Sequence, residues 1–300
     1  MSTQTQERPD VASSEPADKA PKKEGRVLNV FSHGFLLLWA AMVVLPMAWV
    51  VVNSLRESED IKLNPFGLPT DVGVGLSNFV GAWGQANVGQ FFGNTLLVMS
   101  MSVPMTMILG AMASYVLARY EFRLNRFLFY GFVAGMMFPM FLALFPLYKT
   151  LDNAGLKDTH FGLALTYVAF SLPFTIFFLS AFFRTLPSGV AEAAMIDGAG
   201  HYRLFFQVMM PMAKPGLISI TIFNIIGHWN QFILPLVLMQ REPGKQVLSV
   251  GLAQLVSPAG AQQDTGELFA GMTLAMLPIL VAYIIFQRQI QAGMTAGAIK

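Results

Sequence analysis

The sequence predicts an all-α membrane protein with six transmembrane helices. Three observations carry this. Only 12% of the 300 residues are charged while 54% are hydrophobic, whereas a soluble globular chain carries about 25% charged residues. The mean hydropathy is +0.55. The charge deficit is also uneven. It comes from six stretches free of Asp, Glu, Lys and Arg, each long enough for the ~20 apolar residues that cross a bilayer core as a helix. Backbone groups in lipid must be bonded internally, so helices are the default, and the short alternating segments of a membrane barrel are missing. This pattern rules out disorder as the main state and argues against a water-soluble enzyme. A formal net charge of +2 gives no case for nucleic acid. The chain has no cysteine, which excludes disulfides, iron–sulfur clusters and Cys-type zinc sites.

Residues 1–26 are polar, mix basic and acidic side chains and carry Pro9, Pro16 and Pro21. They read as a disordered tail. They are not a secretory signal, because the apolar run that follows is too long and lacks a small-residue cleavage site. A membrane domain then occupies 27–300, with spans expected near 27–53, 91–118, 127–148, 160–183, 215–239 and 268–287. Every span holds a proline: Pro46, Pro104, Pro139 with Pro146, Pro173, Pro235 and Pro278. Proline is commoner in membrane helices than in soluble ones, but one per span also suits a bundle that bends.

Lys and Arg set the orientation. With the N-terminus inside, thirteen of the 19 basic residues fall on the inner side, including Arg119, Arg123, Arg126, Arg184, Arg203 and Lys214. Six fall outside: Arg56, Lys62, Lys149, Lys157, Arg241 and Lys245. Both termini are therefore expected in the cytoplasm. The outer segments Ser54–Gln90 and Arg241–Glu267 are polar connections. Trp49 and Trp83 fit interface anchors or stacking platforms, and Trp39, deeper in the first span, is expected to pack against a neighbouring helix.

No span contains a charged residue. Ion-coupled carriers usually need intramembrane charge or unwound helices, so a proton symporter is disfavoured while sodium coupling through carbonyls stays open. The most polar point within the membrane is His228, Trp229, Asn230 and Gln231, with Asn224 one turn earlier on the His228 face. These residues serve either hydrogen bonding between helices or the lining of a path for a polar solute. Asn94, Thr95, Ser100 and Ser102 suit either role. The chain has no phosphate-binding loop, no H-E-x-x-H and no Cys/His cluster. No catalytic residue, metal site or cofactor is expected on this chain, and it shows no means of capturing chemical energy alone.

The inner segment Leu186–Gly216 looks folded. Ser188 is placed to cap a helix from Gly189. Val190–Ile196 is alanine-rich, Glu192 lies in its first turn, and Gly198 and Gly200 supply a stop and a turn. A second short helix, Tyr202–Met210, is expected before Pro211 and Pro215. Alanines allow close approach to a partner, and Glu192 and Asp197 offer charges for docking. An ordinary helical hairpin lying on its own protein would look the same.

Here the residues reach a family. Glu192-Ala193-Ala194, three residues, Gly198, nine residues and Val208-Met209-Met210-Pro211 resemble the E-A-A-x3-G-x9-I-x-L-P signature of ATP-binding-cassette importer permeases. All spacings are kept, and Val208 and Met210 are apolar replacements for Ile and Leu. The run Gly227–Phe232 with Pro235-Leu236 resembles the fifth span of sugar permeases of the maltose-transporter type, and the chain end resembles the tail of the second permease of such systems. The likeness extends over about Val27–Lys300.

The resemblance implies the type I importer permease fold with a cytoplasmic coupling helix. It implies that Glu192, Ala193, Ala194, Asp197, Gly198, Ala199 and Gly200 couple to an ATPase, and that Asn224, His228, Trp229, Asn230 and Gln231 lie near the translocation path. The implied partners are a homologous second permease, a dimer of cytoplasmic ATP-binding subunits, an extracytoplasmic solute-binding protein and a sugar substrate, and the implied location is a prokaryotic cytoplasmic membrane. The loop Arg241–Glu267 is then expected to reach toward the binding protein. A permease for a glycerol phosphodiester or an oligopeptide, and a carrier that works alone, are the alternative readings.

Overall fold

Helices are the only regular elements among the described residues, as backbone satisfaction in lipid requires. The computed structural model of the chain describes residues 23–69, 72–256 and 264–296. Most of the predicted disordered tail, Ser257–Gln263 and the last residues of the chain lie outside the described residues.

The chain divides into two units, Met1–Trp49 and Val50–Lys300. Within the described residues the first consists of α1 (Lys23–Asn53) up to Trp49; this helix starts inside the predicted tail and holds Pro46. Its apolar stretch buries no side chain within the protein. Trp39, expected to pack against a neighbour, is 60% exposed.

The second unit opens with α2 (Ser58–Leu63) and α3 (Val72–Gly84), two helices within the segment read as a polar connection. The second span is α4 (Val88–Arg119), beginning a turn before the first apolar residue suggested. The third span is α5 (Asn125–Met137) followed by α6 (Met140–Asn153), and the fourth is α7 (His160–Thr185). Between the fourth and fifth spans come α8 (Ser188–Ile196), α9 (His201–Arg203), a π-helical turn (Leu204–Met209) and α10 (Met210–Met212). The fifth span is α11 (Lys214–Trp229) with α12 (Ile233–Leu238). A 3₁₀ turn (Pro243–Lys245) and α13 (Leu248–Leu255) lead to the sixth, α14 (Thr265–Ala296).

Two of the expected continuous spans are broken. The third bends by 102° between α5 and α6. Phe138 precedes Pro139 and is extended, φ −70° and ψ 123°, the conformation that a following proline ring favours. In the fifth, α11 has 16 residues, about 24 Å of helix, short of a hydrocarbon core of about 30 Å. Pro235 has no N–H for the Gln231 carbonyl. That carbonyl instead accepts the Ser249 hydroxyl at 2.7 Å, so α13 satisfies the group that the proline leaves free.

The interior of the second unit is organised around α4 and α7. Gly110 lets them approach closely: a Cβ there would meet Thr175 Cγ2 at 2.5 Å. Ser114 Oγ donates to the Ile176 carbonyl across the same seam at 3.2 Å. Small residues and hydroxyls at helix contacts are what membrane packing selects, because lipid supplies no hydrophobic drive between helices. A core of Ala111, Tyr115, Leu179, Phe183, Leu204, Phe205, Met209 and Ile220 fills the end that carries α8.

Candidate functional site

The segment 186–212 folds as a hairpin of unequal limbs. Its first limb, α8, starts one residue earlier than expected. The residue before the helix is Pro187, and Ser188 sits inside the first turn with no capping hydrogen bond. The predicted Ser188 cap is thus corrected: proline fixes φ and ends the preceding extended step without a side-chain acceptor.

The stop at Gly198 follows the expected chemistry. Gly198 has φ +80°. Its N–H donates to the Met195 carbonyl at 3.0 Å, and the Ala199 N–H to the Ala194 carbonyl at 2.9 Å. This is a Schellman closure, which needs a left-handed residue that glycine adopts without a Cβ penalty. Gly200 is then extended and its carbonyl accepts the Leu204 N–H.

The second limb differs from the expected helix Tyr202–Met210. It is α9, a π turn and α10, running on to Met212. Pro211 offers no donor to the Gln207 carbonyl, and the Met210 N–H bonds back to the Phe205 carbonyl in the wider π register. This limb is embedded, with Leu204, Phe205 and Met209 buried.

Of α8 itself no residue is buried. Ala191 and Ala194 lean on the core below, while Glu192, Ala193 and Asp197 are exposed. Ile196 is 86% exposed and Tyr202, past the turn, 82%. Neither Glu192 nor Asp197 forms an ion pair among the described residues. The hairpin therefore presents an apolar edge and two free carboxylates from a base rooted in the bundle.

The polar residues of the fifth span separate into two groups. Asn224, His228 and Trp229 turn inward. His228 sits between two other spans, with Nδ1 2.9 Å from Ser102 Oγ on α4 and Nε2 2.8 Å from Ser171 Oγ on α7. In either neutral tautomer one nitrogen donates and the other accepts, and a hydroxyl answers either. The Tyr167 ring packs against the imidazole at 5.0 Å. Asn224 Nδ2 donates to Thr175 Oγ1 at 3.1 Å, and Trp229 Nε1 to the Ala275 carbonyl of α14 at 3.3 Å. Asn230 and Gln231 do not join this seam. Asn230 is exposed and its amide returns to the Ile226 carbonyl; Gln231 is half-buried and accepts the Phe232 N–H.

At the opposite end, contacts that the sequence did not signal pin the Arg241–Glu267 segment. Asn94 Nδ2 donates to the Gly244 and Gln246 carbonyls at 2.8 and 2.9 Å. His160 Nε2 meets the Lys245 carbonyl at 2.9 Å, and Thr95 Oγ1 accepts the Leu248 N–H. A polar residue at the start of a span was the available signal, but only folding shows which backbone it binds. Trp83 packs on Phe92, which in turn packs on Trp229.

No group of three or more His, Cys, Asp or Glu able to hold a metal occurs among the described residues. Residues 106–296 match the family described as the inner membrane component of binding-protein-dependent transport systems. The chain is 44% identical over 282 residues to the diacetylchitobiose uptake system permease protein NgcG of Streptomyces coelicolor, covering 94% of this chain and 92% of that one. It is 34% identical to the trehalose transport system permease protein SugB of Mycobacterium tuberculosis over 274 residues, 91% and 96% of the two chains. A chain in the crystal structure of a bacterial ABC transporter that imports the polysaccharide alginate has the same fold, with a TM-score of 0.75 at 22% identity over 90% of this chain and 98% of that one. With its apolar helical spans and the match to these permeases, this chain belongs to the inner-membrane components of binding-protein-dependent transport systems and is a multi-pass permease subunit of an ABC transporter.

Proposed function

We propose that this chain is one of two homologous permeases in an ATP-driven sugar importer, and that α8 is the element docked into a cytoplasmic ATPase. The observation that carries the reading is the exposure of α8. An unburied helix that bares Ile196 and two carboxylates, yet stands on a second limb anchored by buried Leu204, Phe205 and Met209, is built to be covered by another protein. The Glu192-Ala193-Ala194 part of the signature lies on that helix, and Gly198 closes it. In this reading Asp197, Ala199 and Gly200 shape its tip, and both chain termini lie on the same cytoplasmic side, as the distribution of Lys and Arg favours.

The partners are a second permease, a dimer of ATP-binding subunits and an extracytoplasmic binding protein that delivers solute. ATP binding shifts a two-state equilibrium between inward- and outward-open forms. Reversing such an equilibrium nearly completely takes about 5.5 kcal/mol of differential binding, so the lever must be firmly docked. The sugar class rests on the relatives, whose names specify diacetylchitobiose and trehalose uptake. Asn230 and Gln231, free of the polar seam, are the fifth-span groups best placed to meet solute. Asn224, His228 and Trp229 act behind them by holding the wall.

The test is purification of the tagged chain in mild detergent, with uptake of labelled diacetylchitobiose, trehalose, a glycerol phosphodiester and an oligopeptide. The expected result is co-purification of an ATPase, import of a sugar, and loss of both ATPase binding and uptake in Glu192→Ala. Import by the purified chain alone would overturn the ATP-driven reading; import of only the phosphodiester or peptide would overturn the sugar assignment.

A further inference from the structure

We propose that Arg119 and Tyr120, adjacent at the end of α4, clamp the two feet of α8 and act as the positioning residues that carry its motion into the second span. The proposal rests on the reading of α8 as the docked element. Arg119 Nη2 donates to the Leu186 carbonyl at 2.6 Å. Leu186 closes the end of α7, where carbonyls lack intrahelical partners, and it stands two residues before α8. The donor is charged, which makes this bond stronger than a neutral one. The Tyr120 hydroxyl lies 2.9 Å from His201 Nδ1, and the two rings meet edge to face at 5.8 Å. His201 directly follows the Gly198–Gly200 turn, so it is the other foot.

The geometry forms a closed frame. The chain from Leu186 through α8 to His201 makes one side, and a single peptide unit of α4 makes the other. Tyr120 is itself held: its N–H reaches the Val116 carbonyl at 3.0 Å, and its carbonyl accepts Asn125 Nδ2 at 2.7 Å. The chain already ties α8 to α7 and, through α9 and α10, to α11. The clamp adds α4, to which no covalent path leads within this segment. Beside the His201 foot a cleft of about 500 Å³ opens between α4 and the second limb, lined by Met112, Val116 and Phe206 among others. Packing is therefore incomplete there, and the Tyr120–His201 contact spans the gap. Displacement of α8 pulls both feet, and both feet end on neighbouring residues of α4.

The experiment uses the assembled importer in proteoliposomes, with its ATPase, second permease and binding protein and labelled diacetylchitobiose as probe. Tyr120→Phe, His201→Leu and Arg119→Met are each expected to keep the ATPase bound and turning over ATP while solute moved per ATP falls at least about fivefold, the lower edge of ordinary coupling energies. Arg119→Lys, which keeps a charged donor, is expected to recover most of the loss. Tyr120→Phe with His201→Leu should be no worse than Tyr120→Phe alone, because Tyr120→Phe already removes the His201 contact together with the longer one of 3.4 Å to the Tyr115 hydroxyl.

A second measurement needs no solute. The chain has no cysteine, so spin labels placed at Ser188→Cys on α8 and Met112→Cys on α4 before assembly with the partner subunits report this chain alone. One unchanged label distance with and without ATP is expected for the intact clamp, and an ATP-dependent distance in Tyr120→Phe. A normal transport-to-ATP ratio in Tyr120→Phe, or labels that separate on ATP binding with the clamp intact, overturns the proposal. If Glu192→Ala leaves the ATPase bound and transport intact, the docking role of α8 falls instead, which the control distinguishes.

Discussion

At the residue scale, His228 is the side chain whose role most needed the fold. Its spacing from Asn224 placed both on one helix face, and the sequence left two uses for them. The structure bonds both ring nitrogens to serines on two other spans, so the imidazole is a three-helix bolt. Hydrogen bonds between membrane helices average about 0.6 kcal/mol. His228→Leu is therefore expected to lower stability by about 1–2 kcal/mol, read as a lowered thermal midpoint in detergent with solute selectivity unchanged. A selectivity change at full stability would instead favour a place for His228 on the solute path. Gly110 makes a sharper case. Gly110→Ala drives a methyl into Thr175 Cγ2 and should cost about 1–3 kcal/mol by overpacking. Thr175→Ser removes that methyl and keeps the hydroxyl bonded to Asn224, so the double variant should regain most of the loss in the same melt.

Elements reveal a different balance. The helical character of each span was legible because charge-free length alone requires it, and the stop of α8 was legible because a left-handed closure selects glycine. Gly198→Ala keeps every contact but forces a Cβ into φ +80°, a cost of about 1–2 kcal/mol. Hydrogen exchange should rise in 188–200 and stay level in α4 and α7; uniform exchange across the protein would contradict a local effect. What the pattern did not yield was the break in each broken span. Every span carries a proline, yet α7 and α14 continue through Pro173 and Pro278, while the third span turns at Pro139. Proline marks where a helix is able to bend, and the neighbours decide whether it does. The Ser249 bond to the carbonyl freed by Pro235 is of the same kind, set by a group on another helix.

For the whole molecule, the hairpin, the seam and the broken spans make a permease of two mechanical parts. The seam through Ser102, Ser171, Thr175, Asn224 and His228 fastens α4, α7 and α11 together. The hairpin is rooted in the core at one end of those same helices. If α8 is the docked element proposed above, a push on it reaches a braced three-helix body. The bend at Pro139 offers compliance next to that body, since α5 packs along α7. Pro139→Ala is expected to straighten or stiffen this span and to slow uptake while ATPase binding stays intact, measured in the same importer; unchanged uptake would show that the bend has no part in the cycle.

The sequence by itself determined the membrane class, the helical character of the spans and the permease family, because hydrophobic length, charge exclusion and a fixed motif spacing act through neighbours along the chain. Tertiary structure alone decided which polar side chains face each other, which prolines bend their helices and which backbone groups Arg119, Tyr120, Asn94 and Ser249 satisfy. Those outcomes depend on donors and acceptors that become adjacent only after the helices pack, and no local pattern records the partner.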